Sequence, residues 1–295
     1  MGCDICPRRC GVERECGSVG FCRVPKQFTA AKTMLHMWEE PCIAGEGGAG
    51  TIFFSGCNLH CVYCQNIDIS GGKNGNIMTE EQLESAMFSL VEKGAECVEF
   101  VTPTHYTNDL ARLIDRIKPK LTVPIVWNSG GYESVDSLKL LDGLVDVYLP
   151  DFKYYDNDLA KKYSFAPDYL EVATAALGEM LRQTGKPQFD GQGKLLRGVI
   201  VRHLVLPGHR ADSIAVLNHI AECFGADSIL LSLMSQYTPD FYSNRGDCQY
   251  KNLCRRVTKF EYDSVMKVAD SLGFEGYFQG MASADRCFTP EFKKG

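Results

Sequence analysis

Cys57, Cys61 and Cys64 stand in GCNLHCVYCQN at C-x3-C-x2-C spacing. Thiolates are soft ligands that suit iron–sulfur clusters and zinc. A closed structural site takes four ligands, whereas a site with three protein ligands keeps a position for substrate or water. Three thiolates on a cubane of four irons therefore leave one iron open. The competing reading is a zinc knuckle or a half-built ferredoxin site. A ferredoxin cluster needs a fourth cysteine, which Cys42 or Cys97 would have to supply from a distance.

A second group of cysteines crowds the start of the chain. Cys3, Cys6, Cys10 and Cys22 offer four thiolates, with Cys16 as a spare. Two uses compete: a zinc staple that orders an extension too short to fold by burial, or a second iron–sulfur cluster. Cys248 and Cys254, in a long loop, read as two surface thiols. The chain holds 14 cysteines in all. Its N-terminus has no apolar signal core, so a cytoplasmic location is expected, where thiols stay reduced and metal sites outweigh disulfides.

The positioning elements follow from pattern. Apolar residues make up 45% of the 295, enough for a sizeable core, and the net charge is −6. An acidic chain without a basic block argues against nucleic-acid binding, and no apolar run is long enough for a membrane span. After residue 50, strand patterns at 51–56, 97–102, 123–128, 146–150, 198–206, 227–233 and 276–279 alternate with helical ones. Capping boxes open helices at Thr79 and Thr258, and Gly273 closes the second. About six strand–helix units predict an α/β fold, a partial (βα)6 barrel of parallel strands with a Cys-rich N-terminal extension. Residues 1–50 read as a Cys-rich metal-binding extension and packing arm, and 51–295 as the core with its C-terminal elements. In such folds chemistry gathers at the C-terminal ends of the strands, and the cysteine trio directly follows the first.

The cysteine spacing, with Tyr63 before the last cysteine, resembles the signature of the radical S-adenosylmethionine superfamily. SGCNLHCVYCQN is similar to the branch that contains pyruvate formate-lyase activating enzyme. WEEPCIAG, WNSGGYES and YLPDFKYYDNDLAKKYS resemble a sub-branch described as activating-enzyme-like. The resemblance spans nearly the whole chain. It implies a 4Fe–4S cluster on Cys57, Cys61 and Cys64 whose open iron chelates S-adenosylmethionine. Reductive cleavage would give a 5′-deoxyadenosyl radical that takes hydrogen from a substrate.

The resemblance also suggests cofactor contacts at the other strand ends. Tyr63 is one candidate. Where relatives carry Gly-Gly-Glu, this chain has Thr102, Pro103, Thr104 and His105. The backbone there can still meet the methionine amino group, and His105 either touches cofactor or substrate or serves the local turn. Asn128 and Ser129 are expected beside the cofactor. Asp151 with Asn128 would hold a monovalent cation, Lys153 would balance the cofactor carboxylate, and Arg202 would touch cofactor or substrate. No catalytic side chain is singled out. Expected partners are a reductant such as flavodoxin or ferredoxin, and a glycyl radical enzyme, a small metabolite or a peptide as substrate. The alternatives of another class are a non-catalytic iron–sulfur electron carrier and a zinc-binding interaction module.

Overall fold

The computed structural model describes residues 2–243, 249–280, 290 and 292. Its strands are β1 (Phe28–His36), β2 (Ala49–Phe54), β3 (Asn76–Met78), β4 (Cys97–Val101), β5 (Ile125–Ser129), β6 (Val147–Pro150), β7 (Gln188–Phe189), β8 (Leu195–Leu204), β9 (Leu230–Met234) and β10 (Gly276–Phe278). The helices are α1 (Pro41–Ala44), α2 (Ile67–Ser70), α3 (Glu80–Glu92), α4 (Thr107–Ile117), α5 (Val135–Lys139), α6 (Asn157–Ser164), α7 (Tyr169–Thr184), α8 (Arg210–Phe224), α9 (Asp240–Ser243) and α10 (Lys259–Leu272).

The strands β2, β4, β5, β6, β8, β9 and β10 lie side by side in that order, all parallel. Right-handed crossovers between strands in this order set the helices on one face, and the other face closes on the barrel interior, where Ile43 packs with Ala49, Val126, Val147 and Leu149. That is why β2, β4, β5, β6 and β9 are buried at every position and read as continuous apolar runs rather than alternating ones. The expected α/β partial barrel is what forms. Thr79 and Thr258 each close a capping box, and Gly273 caps α10 in the left-handed conformation.

The antiparallel elements were not legible. The segment read as a packing arm contains β1, which pairs antiparallel along β2 and carries β3 on its other edge. The expected boundary at residue 50 falls inside β2. The loop read at 185–197 contains β7, which pairs with the start of β8. In the long loop at 238–256, Cys254 is disulfide-bonded rather than a surface thiol, and Cys248 lies outside the described residues.

The face packed against α3 and α4 is aromatic. Phe54, Phe100 and Trp127, on neighbouring strands, are fully buried there among Leu83, Met87, Leu110 and Ile114, and the Phe100 and Trp127 rings meet edge-on at 6.3 Å. Side chains alternate along a strand, so this packing turns Glu99 and Asn128 to the opposite face, into the barrel.

Candidate cofactor site

The C-terminal ends of the parallel strands open into one cleft. Gly56, Cys57, Leu59, Cys61, Tyr63 and Cys64 line one side, with Gln65 and Asn66. Across from this loop stand Thr102 after β4, Asn128 and Ser129 at the end of β5, Asp151 and Lys153 after β6, and Arg202 near the end of β8. The space not filled by protein is about 1140 Å³, its open mouth included.

The cysteine loop is pinned from three directions. Asn58 Nδ2 donates to the Tyr132 carbonyl at 2.6 Å, and the Val62 amide donates to the Tyr163 carbonyl at 2.8 Å. The His60 ring Nε2 lies 2.7 Å from the Phe21 carbonyl. Gly56, at φ +83°, has to be glycine: a Cβ there would stand 2.5 Å from the Cys22 carbonyl oxygen. Burial pushes the Cys57 thiol up to about 11 and, with its cysteine neighbours, the Cys64 thiol up to about 12. Two neutral thiols so placed become thiolates only if a positive centre binds them. Backbone amides already face the sulfurs, as the Leu59 N–H does toward Cys57 Sγ at 3.3 Å.

A hydrogen-bond chain reaches Cys61 from the wall of the cleft. The Ser164 hydroxyl donates to Cys61 Sγ at 2.9 Å, Tyr154 Oη is 2.7 Å from Ser164 Oγ, and Tyr63 Oη is 2.6 Å from Tyr154 Oη. Because the serine proton goes to sulfur, Tyr154 donates to the serine and Tyr63 to Tyr154. All three dipoles then point at the sulfur, and such chains strengthen cooperatively.

The opposite wall is charged. Arg202 Nε donates to Asp151 Oδ1 at 3.0 Å, Arg202 Nη2 donates to Asn128 Oδ1 at 2.6 Å, and Lys153 Nζ donates to Asp151 Oδ2 at 2.5 Å. Burial works against all three charges. The two cations nevertheless hold the Asp151 carboxyl below its usual range, and Asp151 keeps Lys153 and Arg202 protonated. Asp151 thus sits between two cations, and Arg202 also feels the carboxyls of Glu39, Glu40 and Glu99. The oxygens expected to hold a monovalent cation are taken by Lys153 and Arg202. The Tyr169 hydroxyl sits 2.9 Å from the carbonyls of both Gly130 and Asp151 and accepts the Lys153 amide at 3.0 Å, which locks β5 to β6.

Several supporting residues carried no signal that was read. Glu99, fully buried in β4, accepts from Thr51 Oγ1 and from Asn128 Nδ2, both at 2.7 Å. Asn128 is thus clamped between an acceptor and a donor. A carboxylate inside an otherwise apolar strand is rare enough to have marked it. Glu39, from the WEEPCIAG stretch, reaches within 3.7 Å of Arg202 Nη1. Burial and the neighbouring Glu99 and Glu40 carboxylates raise its pKa well above the ordinary range. Ser164, Tyr154 and Tyr169 lie in or beside the YLPDFKYYDNDLAKKYS stretch but gave no pattern for their partners.

Two of the candidate residues lie elsewhere. Thr104 and His105 occupy the single 3-10 turn after β4, buried and away from the cleft lining. Thr104 donates to Glu133 Oε1 at 2.7 Å. His105 packs on Tyr106 with ring centroids 4.3 Å apart, and neither ring nitrogen has a hydrogen-bond partner. Burial drops its pKa to about 3, so it stays neutral. Thr102 does line the cleft, at φ +57°. A β-branched residue in that region is strained, and such strain concentrates at functional sites.

The donor set fits a cluster with a chelated amino acid beside it. Three cysteines share one wall, Lys153 and Arg202 line the same cleft, and Asn66 Oδ1, on a residue lining the cleft, is buried without a partner. Among the described residues, no three His, Cys, Asp or Glu side chains gather closely enough for a single metal ion.

Residues 43–164 match the family of 4Fe-4S single cluster domains, a span that contains the trio, Asp151 and Lys153. Over 282 residues the chain is 28% identical to an uncharacterised protein of Methanocaldococcus jannaschii, covering 92% of this chain and 75% of that one. Among solved structures, SuiB of Streptococcus suis bound to precursor peptide SuiA superposes with TM-score 0.52 at 12% identity, over 76% of this chain and 46% of SuiB. This chain thus spans about half of SuiB. A domain of a pyruvate-formate lyase-activating enzyme from Bacteroides vulgatus matches with TM-score 0.43 at 11% identity, over 62% of this chain and 98% of that domain. The fold is shared with SuiB, and the span that carries the cysteine trio matches a family of 4Fe-4S cluster domains, in line with the cluster expected from the cysteine spacing. Among the described residues, no helix is long and apolar enough to cross a membrane.

Proposed function

We propose that the cleft holds a 4Fe–4S cluster on Cys57, Cys61 and Cys64 with S-adenosylmethionine beside it, in a radical S-adenosylmethionine enzyme. The supporting observation is that the three cysteines converge on one cleft with Asn128, Ser129, Asp151, Lys153 and Arg202. Such a cluster, when bound and reduced, supplies the electron that breaks the sulfonium C–S bond and yields a carbon radical able to take hydrogen from a substrate. The chain's own residues bind and orient. Lys153 and Arg202 present their positive charge to the cofactor carboxylate, and Asn66 Oδ1 offers an acceptor to its amino group. Glu99 and Arg202 fix Asn128 between them. Phe54, Leu59, Val101, Leu204 and Met234 give the cleft its apolar walls and limit water.

The hydrogen donor in this proposal is a glycyl residue of a partner enzyme, with a small metabolite or peptide as the competing substrate and flavodoxin or ferredoxin as reductant. Anaerobically purified protein given dithionite and S-adenosylmethionine is expected to form 5′-deoxyadenosine, and Cys61→Ala is expected to form none. Wild-type protein that holds iron and sulfide but forms none would be an electron carrier. Colourless protein with zinc alone would be an interaction module. Either overturns the proposal.

A further inference from the structure

The N-terminal cysteines are brought together by a segment that has no core of its own. Residues 2–23 hold one 3-10 turn, Arg14–Cys16, and otherwise no helix or strand. Cys3, Cys6, Cys10, Cys16 and Cys22 are all free thiols. Cys6 and Cys22 are buried, and Cys16 is exposed. Cys6 lies within electrostatic range of Cys22 and Cys10, and Cys22 within range of Cys3 and Cys10. The four share one short coreless segment, in which Cys3 and Gly11 are bonded backbone to backbone and the Phe21 amide reaches Cys10 Sγ.

Backbone amides are aimed at their sulfurs. The Phe21 N–H donates to Cys10 Sγ at 3.3 Å, and the amides of Arg8 and Val24 act on Cys6 and Cys22. Each of the last two comes from the residue two positions after its cysteine. The same arrangement serves the cleft trio, where the amides of Leu59 and Asn66 act on Cys57 and Cys64. A thiol sulfur accepts weakly, and a thiolate much better. Tight local turns set this geometry: Cys3 and Val12 bond amide to carbonyl at 2.9 Å, as do Gly11 and Cys3, and the Arg23 amide bonds the Gly20 carbonyl at 3.0 Å.

The segment lies against the cleft loop. Arg8 Nε donates to the Asn58 carbonyl at 2.7 Å and Arg8 Nη2 to the Ser164 carbonyl at 3.0 Å, while its guanidinium stacks 4.0 Å over Phe21. Asn58 sits between Cys57 and Cys61, and Ser164 is the residue whose hydroxyl bonds Cys61.

We infer that Cys3, Cys6, Cys10 and Cys22 form a second metal centre, a four-thiolate site that staples the extension and clamps it onto the loop carrying Cys57, Cys61 and Cys64. The ligand is a thiophilic metal, either one zinc ion or an iron–sulfur cluster. The four sulfurs do not yet form a shell tight enough for a single ion, so ligation rotates the cysteine side chains inward. Each thiol that ligates gives up its proton, and binding of four releases four. Four anionic ligands suit either occupant. The site stands whether or not the cleft performs the chemistry proposed above.

The test removes the cleft trio first. A Cys57→Ala/Cys61→Ala/Cys64→Ala variant, made anaerobically, is analysed for zinc, iron and acid-labile sulfide. Zinc near one per chain, or iron with matching sulfide, is the expected result, and which one appears identifies the occupant. Adding Cys6→Ser and Cys22→Ser to that variant should abolish the metal. A trio-deficient chain free of both metals, or one whose metal survives the added substitutions, overturns the inference. Should the multiple variants fail to fold, X-ray absorption at the zinc and iron edges of wild-type protein decides. A pure sulfur shell at zinc, or two classes of cluster iron, supports the centre. Zinc-free protein with iron enough for only one cluster refutes it.

Discussion

Lys153 offers the sharpest separation of binding from folding. Its ammonium meets Asp151 at 2.5 Å, but Asp151 also accepts from Arg202 at 3.0 Å. Replacing Lys153 with Met therefore removes one positive charge from the cleft wall without orphaning a buried carboxylate. A hydrogen bond to a charged group contributes roughly 1.5–3 kcal/mol, so S-adenosylmethionine should bind about 10- to 150-fold more weakly. Arg202→Met also leaves Asp151 one cation, but it strips the donor from buried Asn128 Oδ1 and the pairing of Glu39, and a buried acceptor left unsatisfied costs about 1–3 kcal/mol of folding stability. Calorimetric titration of cluster-loaded Lys153→Met with S-adenosylmethionine, alongside urea unfolding of both variants, reads the two effects. An affinity within threefold of wild type, or a stability loss in Lys153→Met as large as in Arg202→Met, would show that the Lys153 charge does not serve the ligand.

Three further outcomes are expected. Ser164→Ala removes the hydroxyl donated to Cys61 and should shift the cluster potential to a more negative value in protein-film voltammetry, because hydrogen bonds to sulfur raise it; an unchanged potential would place the hydroxyl's role elsewhere. Thr258→Ala breaks the capping box of α10 and should lower stability by about 1 kcal/mol, read by urea unfolding. Burial drops the His203 pKa to about 4 against 6.5 when unfolded. The unfolded chain takes that proton first, so the stability from keeping His203 neutral is full above pH 6.5 and is lost as pH falls toward 4. Glu133 and Asp212, raised by burial to about 7 and about 6, work in the opposite sense, so the difference from a His203→Gln variant is the clean readout. Wild type should lose up to about 1.4 kcal/mol per pH unit relative to the variant below pH 6.5; a gap that does not change with pH would contradict this.

The parts that the sequence disclosed are those with local causes. The seven parallel strands were legible as short β-branched runs, and Thr79, Thr258 and Gly273 marked helix ends because capping depends on residues three or four apart. The trio was legible because its ligands sit on one loop. What stayed hidden depends on contacts between distant segments. β1 and β3 pair antiparallel through a partner strand that their own pattern does not name. Thr104 and His105 were grouped with Thr102 by adjacency, yet the left-handed turn at Thr102 carries the chain away from the cleft into the wall behind it. Glu99 was read only as part of a strand, although a buried carboxylate has to find donors, and here they are Thr51 and Asn128. Arg8 gave no signal, because the carbonyls it meets lie at Asn58 and Ser164, 50 and 156 residues along the chain.

The most direct measurement is the electron paramagnetic resonance spectrum of the dithionite-reduced protein, recorded without oxygen before and after S-adenosylmethionine is added. The signal of a reduced 4Fe–4S cluster that changes on addition, and that is absent from Cys61→Ala, is the predicted result. A cluster signal that S-adenosylmethionine leaves untouched, or that survives the loss of Cys61, would contradict the assignment of an open iron to this cleft.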